Sequence, residues 1–248
     1  MSHDMMQQTQ RLAITEVNRS MTPIKTKQGF AWNPVNIEEK LNLLLSAIEK
    51  TESNTPENKT RLLNKIERWK TQIEEITDRI QYIRNDLTPE LEKRLGVKIR
   101  NKEFLIAAMF QPSTKNLFLE IEAEYRGESN PLGKDGFDHL ISLSEAAKVI
   151  ALLGDAAISM AVLYHLWQPS IVDVGRLTQD KSDVVSNENM ANLCDRWGLY
   201  EHRIHFDPEV PSKSEIEHDK GTLVEAIFGI IQMEYGFEKV MKNIDLLF

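Results

Sequence analysis

Apolar residues recur at helical spacing through most of the chain. No stretch shows the alternation of period two that a half-buried strand requires. Leu41, Leu44, Leu45 and Ile48 share one helical stripe. Leu62, Ile66, Trp69, Ile73, Ile76, Ile80 and Ile83 follow at steps of four and three in turn, an average of 3.5 residues and the period of a coiled-coil seam. Glu52-Ser53-Asn54-Thr55-Pro56-Glu57 interrupts the two stripes. Ser53 or Thr55 can cap the next helix, and Pro56 suits its first turn. The pattern predicts a helical hairpin over residues 37–88 whose second arm is longer than its first. Seven apolar positions on the long arm exceed what two turns of the short arm can cover. The seam is therefore expected to meet a further surface, in the same chain or in another.

Residues 1–36 carry Pro23, Gly29 and Pro34 with weak periodicity and read as an irregular arm, with one short helix near residues 8–19. Beyond Thr88-Pro89 helical patterns resume, punctuated by glycines, with strong helices predicted near 102–110, 142–167, 184–197 and 219–234. Residues 120–138, holding Gly127, Pro131, Gly133 and Gly136, read as an irregular excursion. The fold class expected is all-α: an arm at 1–36, a hairpin at 37–88 and a helical domain at 89–248.

Composition narrows the class. The chain has 248 residues, 41% hydrophobic and 27% charged, enough for one or two globular domains. No uninterrupted apolar run approaches the roughly 20 residues that cross a bilayer, and no basic-then-apolar start marks a secretory signal. A single cysteine, Cys194, excludes an internal disulfide framework and a cysteine-rich zinc site. The expectation is a cytoplasmic protein with no membrane partner. The net charge of −8 is unevenly spread: residues 1–95 hold 15 basic against 14 acidic side chains, residues 96–248 hold 15 against 24. The carboxy-terminal part, at −9, is a poor polyanion binder unless cations bridge it to phosphates.

Two carboxylates stand out. Asp155 lies in the apolar stretch from Val149 to Leu163, and Glu225 lies in Leu223-Val224-Glu225-Ala226-Ile227-Phe228-Gly229. A carboxylate embedded in a core helix needs a partner: either a structural hydrogen bond or, for two such groups facing each other across a bundle, a shared divalent cation. Asp219 precedes Glu225 by six residues, roughly 9 Å along a helix, and suits an outer-sphere water. Glu145, ten residues before Asp155, is about 15 Å away by the same rise. The run from His202 to Asp207 has histidines at metal-like spacing but no third ligand, and reads as a surface loop. Trp167, Trp197 and Tyr164 fall on apolar faces and read as core. Ala156 and Ala157 beside Gly154 permit a close helix contact, and Asn187 after Ser186 stands where a helix begins.

Four blocks carry a resemblance. Leu91–Val97 with Phe104–Ser113, then Leu153-Gly154-Asp155-Ala156, then Gly175–Thr178 with Lys181 and Val184–Ala191, then Glu225–Gly229 with Tyr235–Glu238 resemble, in order, the ribonuclease III family across residues 89 to 242. The resemblance implies a helical endonuclease domain that works as a homodimer, cuts double-stranded or structured RNA with magnesium (manganese substituting), and leaves 5′-phosphate and 3′-hydroxyl ends. No DNA partner is implied. Asp155 and Glu225 would hold the metal. Lys181, Asn187, Asp219 and Thr222 would be outer-sphere or RNA-contacting groups, with the basic residues of 1–30 also candidates for RNA.

The chain departs from the family's four-carboxylate pattern. Ala151 and Thr222 stand where two acids are usual, and Lys148 replaces a third acid on the signature helix. The miniature branch of the family also shows alanine and threonine at the first two places, cleaves RNA, and lacks a double-stranded-RNA-binding domain, as is expected of this chain. The alternatives are a catalytically impaired protein of this fold that binds RNA or acts as a scaffold, and a coiled-coil adaptor unrelated to RNA.

Overall fold

The computed structural model describes residues 36–126, 130–133, 135–167, 173–206 and 211–248. The expected arm, its short helix and its basic residues lie outside them. Every regular element among the described residues is helical, and a lone bridge between Phe110 and Ile204 is the one piece of β pairing. The all-α expectation holds.

Asn36 caps the first helix, α1 (Ile37–Asn54), by accepting from the Glu39 amide. The turn falls later than the sequence indicates, because α1 runs through Ser53. The Ser53 and Thr55 hydroxyls bond back to the carbonyls of Glu49 and Thr51 instead of capping the next helix. That helix, α2 (Thr60–Tyr82), starts without a side-chain cap. It continues through a π-helical turn, Ile83–Leu87, into α3 (Thr88–Leu95). Pro89 has no amide to give and its ring crowds the preceding turn. Widening to a π turn, closed by the Thr88 hydroxyl on the Ile83 carbonyl at 2.6 Å, keeps the helix going through the proline.

The seam is covered within the chain. Ile66, Trp69, Ile73, Ile76, Ile80 and Ile83 are fully or almost fully buried, and Leu62 is half-buried at the end of the row. Part of the cover is α1 with Ile37, Leu41, Leu44 and Ile48. The rest comes from α5 (Thr114–Glu124) and the segment 199–206. Lys65 and Arg68 pair with Glu120 on α5, and Thr51 bonds Tyr125 at 2.9 Å. Arg79 Nη1 donates to the carbonyls of Glu201 and Arg203 at 3.1 and 3.0 Å, and Tyr82 stacks on His202 with centroids 4.1 Å apart.

The remaining helices are α4 (Lys102–Ala108), α6 (Gly136–Ile141), α7 (Leu143–Leu166), α8 (Val174–Val184), α9 (Asn187–Trp197), α10 (Lys213–Tyr235) and α11 (Phe237–Asn243). Two short 3-10 turns, Tyr200–His202 and Ile244–Leu247, complete them. The expected excursion at 120–138 is ordered at both ends, by α5 reaching Glu124 and by α6 starting at Gly136. The expected helix at 184–197 is α9, starting at Asn187 because Ser186 caps it by accepting from the Asn189 amide, while Val184 ends α8.

The centre of the fold is α7 against α10. By length and composition α7 is apolar enough to cross a membrane. In the fold one side of it is core, from Leu143 through Ile150, Gly154 and Ile158 to Val162. Its other side corrects the sequence reading. Tyr164 and Trp167 are exposed, together with Val149, Leu152, Met160 and Leu163, whereas Trp197 is buried as expected.

Candidate active site

The apolar stretch of each central helix carries one carboxylate, Asp155 on α7 and Glu225 on α10, and the crossing of their backbones sets where the pair stands. A Cβ on Gly154 would fall on the Glu225 carbonyl and within 2.8 Å of the Gly229 amide nitrogen. One on Gly229 would fall on the Ile150 carbonyl. Only hydrogen fits at either place, so α7 and α10 touch backbone to backbone. Ala157 is buried beside this crossing, while Ala156 is exposed. Helix α10 starts with a capping box, in which Ser212 and Glu215 satisfy each other's backbone amides.

The crossing places Asp155 next to Glu225. Asp155 is exposed and Glu225 half-buried. Burial pushes the Glu225 carboxyl up to about 7, and the negative charge of Asp155 pushes it the same way. Among the described residues neither carboxylate is in an ion pair, and no cation offsets the rise at Glu225. Such a pair of hard oxygen donors, one half-buried and one exposed, with like charges side by side, fits a small divalent cation that keeps much of its hydration shell.

Of the other positions, Ala151 is buried. The Thr222 hydroxyl donates to the His218 carbonyl at 3.1 Å and is turned back on its own helix. Asp219 is half-buried, six residues before Glu225 on α10. No group of three or more histidine, cysteine, aspartate or glutamate side chains suited to a metal forms among the described residues. Asn187 is the first residue of α9, with its Oδ1 3.8 Å from the place a Cβ on Gly221 would take, one turn before Glu225. Lys181 is half-buried on α8, a helix with no buried residue, and is not among the charges that shift Glu225. Lys148 is taken up by Glu145 at 2.9 Å.

The segment 202–206 is less exposed than a surface loop. Arg203 and Ile204 are buried, with Arg203 over the Tyr200 ring at 3.7 Å. Burial lowers the His202 pKa. Cys194 is buried and its thiol is pushed up to about 12, chiefly by that burial, which leaves it unreactive. Sequence reasoning missed Gly229 as the second half of the crossing, although it stands one turn after Glu225 as Gly154 stands beside Asp155. It also missed the exposed apolar side of α7.

Comparison with known families agrees with the region built around this crossing. Residues 148–236 match the ribonuclease III domain. That span holds both carboxylates, both crossing glycines and the helices that position them. It supports the family, a ribonuclease-type function on double-stranded RNA, and RNA as the partner. The earlier resemblant block, residues 91–113, lies outside the ribonuclease III match. No curated protein and no solved structure matches the chain.

Proposed function

We propose that the chain is a magnesium-dependent endoribonuclease that cleaves double-stranded RNA as a homodimer, with Asp155 and Glu225 as the groups that hold the metal. The observation that carries this reading is the glycine–glycine crossing, which brings together two carboxylates that have no ion-pair partner among the described residues. Magnesium, when bound, would supply an activated water and offset charge on the scissile phosphate. Glu225 is the half-buried donor that gives up its proton to bind, and Asp155 is the exposed donor open to the substrate. The crossing fixes the two backbones that carry them relative to each other. Ala151 has no oxygen to offer and the Thr222 hydroxyl is turned back on its own helix, so water and RNA phosphates would have to supply the remaining ligands.

The apolar side of α7 supports the dimer. Val149, Leu152, Ala156, Met160, Leu163 and Trp167 recur at three- and four-residue steps and are exposed, a stripe suited to self-association about a two-fold axis.

Ala151 and Thr222 also favour a second reading, an RNA-binding protein of this fold with too few carboxylates to cleave. Calorimetric titration with magnesium separates the two. The endonuclease reading expects one site per chain, lost in Asp155→Asn and in Glu225→Gln and tightened by acids at Ala151 and Thr222. A wild-type chain with no heat of magnesium binding would favour the scaffold.

A further inference from the structure

Lys148 is the residue that the magnesium site leaves unexplained. It stands seven residues before Asp155 on α7, within about 20° on the helix and about 10 Å along its axis. It thus shares the face from which Asp155 points to solvent. Between them Ala151 is small and buried, and the exposed Leu152 stands to one side, about 40° round the helix from Lys148. Lys148 and its partner Glu145 keep 55% and 60% of their side chains exposed, and an exposed pair three residues apart is readily exchanged for another ion. Lys115 also acts on Glu145: the carboxyl is held below its usual range first by the Lys148 bond and charge, and then by Lys115. Two lysines share one acid here, a local surplus of positive charge in a part of the chain that carries −9.

We propose that Lys148 is a phosphate-contacting residue, which exchanges Glu145 for a backbone phosphate of the RNA strand whose scissile phosphate lies at Asp155 and Glu225. The inference rests on the endoribonuclease reading above. Where an acid would repel the strand, this chain presents a cation two helical turns from the metal site. Part of the RNA affinity then comes from α7 itself. Lys148 is a binding and positioning residue, and the metal remains the business of the two carboxylates.

The test is binding of a short RNA duplex followed by fluorescence anisotropy, with calcium in place of magnesium so that the duplex stays intact, across roughly 50 to 300 mM KCl. Lys148→Ala should bind several-fold more weakly and lower the slope of log affinity against log salt by about one. Lys148→Arg should restore both. Glu145→Gln, which frees Lys148, should keep the wild-type slope and bind at least as tightly. The magnesium dissociation constant of Lys148→Ala should stay within about twofold of wild type, and its melting temperature should be unchanged, since the side chain is exposed. A Lys148→Ala chain with wild-type slope and affinity overturns the inference alone. So does one whose magnesium binding tightens about tenfold with no change in slope, since Lys148 would then act only by repelling the metal. A wild-type chain without affinity for duplex RNA overturns the proposed function and this inference with it.

Discussion

Gly154 and Glu225 meet as backbone and backbone, so a single methyl is the sharpest probe of the site. Gly154→Ala puts that methyl on the Glu225 carbonyl, and α7 and α10 must part to make room. The expected cost is about 1–3 kcal/mol or more, read by chemical denaturation. The same change should weaken magnesium binding, since the carboxylates separate with the helices. Protonation gives a second probe. The Glu225 carboxyl sits near 7 in the fold against its ordinary 4.5, so between these values the native chain holds a proton that the unfolded chain has released. Without metal, stability is therefore greatest at the acid end of this window and falls as pH rises through about 7. Melting curves from pH 5 to 8 should show that fall for wild type and not for Glu225→Gln. Magnesium needs the ionised pair, so its apparent affinity should drop as pH falls below about 7. Glu225 was legible in the sequence because an ionisable group in an apolar helix is partly buried; Asp155 was singled out on the same ground and stands exposed. Their distance was not legible, because a glycine on one helix does not say which backbone it will meet.

Among the elements, the hairpin tests how far periodicity can be trusted. The steps of four and three from Leu62 to Ile83 identified the seam correctly, and its isoleucines are buried. The unmet share of that seam was not legible, because α5 and the segment 199–206 that cover it come from 30 to 140 residues further on. Trp69 is 1% exposed, and Trp69→Ala should cost about 3–5 kcal/mol. An unchanged melting temperature would place the side chain in solvent, against the packing described. The break between α8 and α9 was legible in outline, since Ser186-Asn187 reads as a helix start. The π turn at Ile83–Leu87 was not, because Thr88-Pro89 reads as an end, and only the packing of Ile83, Leu87 and Leu91 on one side carries the helix through it.

At the scale of the molecule, α7 is apolar on two sides and buried on one. An apolar helical pattern does not say which of its sides the rest of the chain will cover, which is why Tyr164 and Trp167 read as core and stand exposed. Leu152 is 69% exposed three residues before Asp155, so a partner seated there would lie beside the proposed metal site. Leu152→Asp should shift the sedimentation mass at micromolar concentration from twice the 28.6 kDa chain to once, with the fold retained. A wild-type mass near one chain would remove the dimer. The paired carboxylates remain the centre of the account, and cleavage tests them most directly. Duplex RNA incubated with wild type in a few millimolar magnesium, roughly the range in which weak oxygen-only sites fill, should be cut to fragments with 5′-phosphate and 3′-hydroxyl ends. Asp155→Asn and Glu225→Gln should each abolish cutting while remaining folded, and the double variant should be no worse than either. Wild-type protein that binds the duplex in magnesium or manganese and leaves it intact would contradict the account.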